Sequence, residues 1–249
     1  MLQRVFTCAL LAGLVAGILT TFLQLSFVTP IILAGEGYEG SAGHAGQSPH
    51  AHEHSGLWPG AETGSPAWAP SEGMERTAFT ALATVVSSIG FALMLVAVAM
   101  LSPGELSLHK GFAFGLAGFA ATSLLPSFGL PPELPGSASE ALTDRQAWWI
   151  ATAVSSAAGL HLLAYARLPL KVLGIAALAV PQLIGAPDAG PFVSTAPAEL
   201  AARFVSHALV VQAAMWATLG AACGWFWQRL VVDGPVGRPA RTHRQTSSV

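Results

Sequence analysis

The composition of this 249-residue chain excludes an ordinary water-soluble domain. Hydrophobic residues make up 53% of the chain and charged residues only 10%, against about 25% charged residues in a typical soluble domain. The formal net charge of −2 gives no electrostatic basis for binding nucleic acid, so we expect no such partner. Cys8 and Cys223 both lie in apolar runs, which predicts reduced core thiols and no disulfide framework.

Six apolar runs predict an all-α fold, a polytopic membrane helix bundle of about six transmembrane helices. The runs cover residues 5–33, 77–101, 111–125, 147–166, 168–186 and 201–232. A helix needs about 20 apolar residues to cross a membrane, and the third run is a little shorter than that. The fifth run contains Lys171 and Pro181, so it crosses only if the Lys171 ammonium reaches back to the interface, and five crossings are the alternative. The first run is far longer than the apolar part of a signal peptide, so we expect it to be retained.

The placement of charge predicts that both termini are cytoplasmic. With six crossings, most basic residues fall in cytoplasmic segments, as the positive-inside rule requires. These residues are Arg4, Lys110, Arg167, Lys171, Arg229, Arg238, Arg241 and Arg244, whereas Arg76, Arg145 and Arg203 fall outside. The predicted organisation is a first transmembrane helix (1–33), a periplasmic His-rich loop (34–76), a five-helix membrane bundle (77–232) and a polar cytoplasmic tail (233–249).

Half of the eight histidines lie close together in the first outer loop: His44, His50, His52 and His54. Residues two apart in an extended chain point to one side, so the last three can present their imidazoles together. Neutral imidazole binds zinc, copper, nickel and cobalt ions. The cluster therefore predicts metal capture outside the membrane, without choosing among these metals. The alternative is a low-complexity spacer that binds nothing.

Several polar residues lie inside the predicted spans, where they are costly and usually face the interior of a bundle. Those in the outer half are Gln24, Thr80, Thr84, Gln182 and His207. We predict that they line an outer polar vestibule on the translocation path, with His161, deeper in the fourth span, as an inner metal-binding position. The alternative for each is a hydrogen bond to a neighbouring helix.

Small residues at four-residue spacing predict close helix packing. The pairs are Gly13 with Gly17, Gly111 with Gly115, and Gly220 with Gly224. The chain contains no nucleotide-binding Gly-x-x-x-x-Gly-Lys-Ser/Thr loop, no His-Glu-x-x-His and no Gly-x-Ser-x-Gly, so we expect neither an enzyme nor a bound cofactor.

Several segments, in this order, resemble the CbtA family of predicted cobalt transporter subunits. They are the first span with Gln24 and Pro30, the outer His-rich loop, and residues 72–77, 115–119, 130–136, 146–149, 181–187 and 197–200 with Phe204. The resemblance covers nearly the whole chain up to Trp227. Pro-Pro-Glu-Leu-Pro-Gly (131–136) and Ile-Gly-Ala-Pro (184–187) are its most specific motifs.

The resemblance implies cobalt uptake through the bacterial inner membrane, associated with cobalamin synthesis. It also implies a small single-span partner, CbtB, with histidines of its own. One departure is Gln182, where family members often have His. Because glutamine binds cobalt(II) far more weakly than imidazole, either this position is not an essential ligand or His207 takes more of the role.

We therefore expect a subunit that captures cobalt on its outer loop and passes it through the helix bundle. One alternative is a metal-binding sensor or assembly subunit that does not itself transport. A nickel or zinc transporter is the other.

Overall fold

The computed structural model describes residues 2–43, 70–71, 73–134, 142–187 and 196–232, and all regular structure in these ranges is helical. The predicted all-α class is thereby confirmed for the described residues. The α-helices are α1 (Leu2–Leu23), α2 (Thr29–Gly43), α3 (Met74–Leu101), α4 (Leu108–Phe119), α5 (Leu142–Tyr165), α6 (Leu168–Ile184) and α7 (Ala198–Trp227). Three π-helical turns, Gln24–Val28, Ala120–Leu124 and Gln228–Val232, and a 3-10 turn, Pro126–Phe128, complete the set.

Four of the described helical stretches are long and apolar enough to cross a membrane: Leu2–Tyr38, Met74–Leu101, Leu142–Tyr165 and Ala198–Leu230. Large apolar side chains on these helices point outward. Phe22 and Val154 are each 64% exposed, which suits a lipid environment and not water.

The third and fifth apolar runs form shorter helices. The fifth forms α6, which has 17 residues, and the third forms α4 with the π turn that follows it. The count of six crossings therefore stays a prediction. The first helical stretch also runs further than its apolar run, because α2 continues to Gly43 and makes the start of the predicted 34–76 loop helical.

The helices alternate in direction along the chain. The Cys8 thiol of α1 donates a hydrogen bond to the Cys223 carbonyl of α7 at 3.4 Å, so the first residues of α1 lie beside the last residues of α7. The contacts of glycines between helices show three antiparallel pairs: α1 with α3, α4 with α7, and α5 with α6. We call the end of the bundle that holds the start of α1 and the end of α7 the first end, and the opposite end the second end.

Glycines decide which helices approach closely. A methyl group added at Gly111 of α4 would lie 2.2 Å from the Gly220 carbonyl oxygen of α7, and one added at Gly220 would lie equally close to the Gly111 carbonyl oxygen. Added methyl groups at Gly13 and Gly17 of α1 would meet the α3 backbone at 2.4 and 2.7 Å. The structure thus confirms that all three predicted glycine pairs lie at helix contacts. Only residues without Cβ allow this approach.

These contacts arrange the helices in a row. α3 packs on α1, α1 on α7, and α7 on α4. A buried cluster around Ala12, Ala92, Trp216 and Leu219 fills the space between α1, α3 and α7. The α5–α6 pair joins this group mainly where α5 contacts the π turn Ala120–Leu124.

Two of the π turns precede prolines. Pro30 and Pro126 each follow a π turn by two residues. Proline lacks an N–H, and its ring pushes away the carbonyl four residues earlier, which belongs to Ser26 in the first case and Thr122 in the second. The π turn widens the helix at that carbonyl, and the N–H of Leu125 instead donates to the Ala120 carbonyl five residues back, at 2.9 Å.

The glycine contacts predict a sharp contrast between two Gly→Ala variants. We expect Gly220→Ala to destabilise the bundle by about 1–3 kcal/mol, because its methyl group would overlap the α4 backbone. Gly90→Ala on α3 is the matched control, since nothing lies within 4 Å of a methyl group there and alanine favours a helix. Thermal unfolding of the purified variants in detergent measures the difference, and equal melting temperatures would contradict the close α4–α7 contact.

Candidate functional site

The π turn Gln24–Val28 joins two of the residues predicted to share an outer vestibule. Gln24 Oε1 lies 3.4 Å from the Thr84 hydroxyl oxygen on α3. That hydroxyl already donates its one proton to the Thr80 carbonyl at 2.8 Å. Turning the Gln24 amide over would let its N–H donate to Thr84, so the pair forms one polar contact between the π turn and α3.

His207 contacts the same π turn from α7. Its ring centroid lies 6.4 Å from that of Phe27, and its Nδ1 lies 2.7 Å from the Arg203 carbonyl oxygen. When Nδ1 carries the proton and donates to this carbonyl, Nε2 keeps the lone pair that a metal ion would bind. A backbone carbonyl holding one nitrogen of a histidine is a common arrangement behind metal ligands.

An ion pair lies further toward the second end, between α2 and α3. Arg76 Nη1 donates to Glu36 Oε2 at 3.2 Å, and Arg76 Nη2 donates to Glu36 Oε1. This two-pronged geometry is the strongest that an arginine and a carboxylate form. The Thr80 hydroxyl donates to the Arg76 carbonyl at 2.8 Å within its own helix, so its bond is structural.

Gln182 lies apart from this group. Its Nε2 donates to the Leu125 carbonyl at 3.0 Å, directly after the π turn Ala120–Leu124. The side chain therefore ties α6 to the end of the α4 segment. This contact corresponds to the alternative stated for Gln182, a hydrogen bond to a neighbouring helical segment.

His161 lies near the first end, beside a cavity of about 260 Å³ between α3, α4 and α5. Its ring centroid is 5.0 Å from that of Tyr165. The walls of the cavity are mostly apolar, with Met94, Phe114 and Trp216 among them, and Lys110 also lines it. His161 therefore lies toward the first end of the bundle, whereas His207, nine residues after the start of α7, lies toward the second end.

The described residues contain no group of three or more His, Cys, Asp or Glu side chains that could hold a metal ion. The predicted capture residues His44, His50, His52 and His54 lie outside the described residues.

Comparison with known protein families identifies the family of this chain. The model of the family described as "Probable cobalt transporter subunit (CbtA)" matches residues 2–228. This chain belongs to the CbtA family. No curated protein and no solved structure matches the chain. The CbtA match ends one residue after α7, so it includes every described α-helix, and it confirms the resemblance found in the sequence.

In this CbtA chain, α5 carries a row of buried polar groups that the sequence reading missed. The Thr152 and Ser156 hydroxyls are fully buried without a hydrogen-bond partner, as are single nitrogens of Arg145 and Trp148. Leaving such a group unpaired costs about 1–3 kcal/mol. The spacing of three or four residues, which puts all four on one helix face, was the signal available in the sequence.

Arg145 is held by a residue of the most specific family motif. Its Nη2 lies 2.8 Å from Glu133 Oε1, and both side chains are largely buried. Because Glu133 precedes α5 and follows α4, the pair fixes the connection between these two elements at the second end. This explains a role for the acidic residue in Pro-Pro-Glu-Leu-Pro-Gly that the sequence did not suggest.

The Glu36–Arg76 pair predicts a measurable coupling. We expect Glu36→Gln and Arg76→Gln each to lower the free energy of unfolding. The loss in the double variant should be smaller than the sum of the two single losses by about 0.5–1 kcal/mol. This coupling is modest because both side chains are about a third exposed. Thermal unfolding of the four proteins gives the coupling, and Glu75→Gln combined with Arg76→Gln serves as the control. Strict additivity of Glu36→Gln and Arg76→Gln would show that the pair contributes nothing.

Proposed function

We propose that this chain is the membrane subunit of a cobalt(II) uptake system in the bacterial inner membrane. The match to the CbtA family over residues 2–228 is the observation that carries the proposal. The ion is cargo and leaves unchanged, so the chain needs no cofactor of its own. Thr84 and His207 both contact the π turn that contains Gln24, and these contacts support a polar entrance toward the second end.

The chain crosses the membrane six times, with the first end of the bundle in the cytoplasm. Alternating helix directions and the Cys8–Cys223 contact support an even number of crossings. The described basic residues at the first end are Arg4, Lys110, Arg167, Lys171 and Arg229. Those at the second end are Arg76, Arg145 and Arg203, and Arg76 and Arg145 are paired with carboxylates. This distribution fits the positive-inside rule, with α4 and α6 as short crossings.

The histidine loop supplies the ion. Its described flanks, Gly43 at the end of α2 and Met74 at the start of α3, both lie beyond Gln24 and Thr84 in the direction of the second end. Cobalt(II) held loosely by His44, His50, His52 and His54 is thereby concentrated above the entrance, with His207 as the first imidazole below it.

The membrane potential can drive the ion inward. Moving one charge across 100 mV is worth about 2.3 kcal/mol, and a dication gains twice that. Uptake therefore needs no ATP site on this chain. A CbtB-like subunit with one transmembrane helix completes the system, in keeping with the description of the family as a subunit.

The capture step predicts a loss that depends on cobalt supply. Replacing His44, His50, His52 and His54 with alanine should reduce uptake severalfold at limiting cobalt and leave it unchanged at saturating cobalt. Radioactive cobalt uptake by cells expressing the chain with its partner measures this, and competition with nickel and zinc identifies the cargo.

His109→Ala is the matched control, because His109 is exposed at the first end of the bundle. Equal uptake by the four-histidine variant at limiting cobalt would remove the capture step. Cobalt binding without flux in proteoliposomes that hold the purified chain and its partner would instead favour a sensor or assembly subunit.

Single cysteines test the topology. Met74→Cys and Ile184→Cys should react with an impermeant maleimide added to intact cells, whereas Glu105→Cys and Leu168→Cys should react only after permeabilisation. All four positions are exposed, while native Cys8 and Cys223 are buried and should stay silent. Protection of Ile184→Cys in intact cells, with Met74→Cys labelled, would mean that α6 does not cross.

A further inference from the structure

The middle of α5 carries two hydroxyl groups that the proposed entrance does not use. Thr152 and Ser156 are fully buried, and neither hydroxyl has a hydrogen-bond partner. They lie four residues apart on one face, midway along the 24 residues of α5. Unpaired polar groups at the centre of a membrane helix are rare and usually serve function.

The register between α5 and α6 shows what lies opposite these hydroxyls. Gly159 and Gly174 face each other, since a methyl group added to either would lie within 3 Å of the other's carbonyl oxygen. Pro181 is buried and lies seven residues, about two turns, beyond Gly174 on the same face of α6. Because the helices are antiparallel, Pro181 reaches the height of Thr152, which lies seven residues from Gly159 in the other direction.

Proline at position 181 leaves a backbone acceptor without its helical donor. The Ala177 carbonyl would accept from the N–H of residue 181 in a regular helix, and proline has none. By the same register, Ala177 lies at the height of Ser156. Three oxygens therefore lie within about one helical turn, roughly 6 Å, of each other along the α5–α6 contact: the Thr152 and Ser156 hydroxyls and the Ala177 carbonyl.

We propose that these three oxygens bind a sodium ion that is coupled to metal uptake. All three donors are neutral, which suits a hard monovalent cation better than a transition-metal dication that prefers imidazole or thiolate. A proton is a poor candidate, because none of the three groups titrates near neutral pH. Helices interrupted near the middle of the membrane, with freed carbonyls, are a recurring way for transporters to hold coupling ions.

The charges along α5 agree with a monovalent ion. The nearest ionisable side chains on this helix are Arg145 and His161, about 10 and 8 Å along the axis from Thr152 and Ser156. Arg145 is neutralised by Glu133. The coupling rests on the proposed transport function, whereas the binding of sodium by this chain does not.

Thermal unfolding of the purified full-length chain tests the binding without any transport. In NaCl, the melting temperature should exceed that in choline chloride of equal ionic strength by about 3 °C or more, because a ligand that binds the folded state stabilises it. Thr152→Val and Ser156→Ala keep the volume nearly constant and should abolish the sodium effect. Pro181→Ala restores an N–H for the Ala177 carbonyl and should weaken it.

Ser88→Ala is the matched control, because Ser88 on α3 is also a fully buried hydroxyl without a partner. It should keep the full response to sodium. Equal melting temperatures in the two salts, or an unchanged sodium effect in Thr152→Val and Ser156→Ala, would overturn the site.

Cobalt uptake into proteoliposomes containing the chain and its partner tests the coupling. External sodium should stimulate wild-type uptake, and Thr152→Val should raise the half-activating sodium concentration about tenfold or more. Uptake that ignores sodium while the thermal effect persists would remove the coupling and keep the site. The absence of any cobalt uptake by the wild type, with the thermal effect intact, would reject the proposed function instead.

Discussion

The direct contact between the backbones of α4 and α7 is the constraint on which the rest of the structure depends. Within lipid there is little hydrophobic force to press helices together, so they must pack through close van der Waals contact. A methyl group added at Gly111 or at Gly220 would overlap the backbone of the other helix. Through this contact α4 is held against α7, which in turn packs on α1. The same principle joins α1 to α3 and α5 to α6.

With the helices locked by glycines, two of the three described π turns occur where prolines require them. The π turns before Pro30 and Pro126 widen the helix at the displaced carbonyls. Both turns carry candidate function or touch elements that do. The first presents Gln24 to α3 and Phe27 to His207, and the second contacts α5, which carries the buried hydroxyls. Proline therefore shapes the polar regions of this bundle.

The polar residues of the bundle divide into groups with different surroundings. Gln24, Thr84 and His207 gather near the second end, and His161 lies beside an apolar cavity near the first. Gln182, by contrast, satisfies a carbonyl next to an irregular turn. Thr152 and Ser156 have no such use, which is why they stand out once the helices are assembled. Burial and partners, not residue type, separate these groups.

The sequence by itself determined the helical class, the glycine contacts and the family, because apolar length, four-residue spacing and the motifs around Pro131 and Ile184 are local properties of the chain. It also predicted that Gln24 and Thr84 lie in the outer half of their spans, since depth follows from position along each span, and the structure places these two side chains 3.4 Å apart. Only the tertiary structure decided that Gln182 turns to Leu125, that Glu133 holds Arg145, and that Thr152 and Ser156 lack partners. Those facts depend on how helices rotate about their axes and which ones are adjacent, and apolar runs carry almost no information on either because lipid and protein interior are equally apolar.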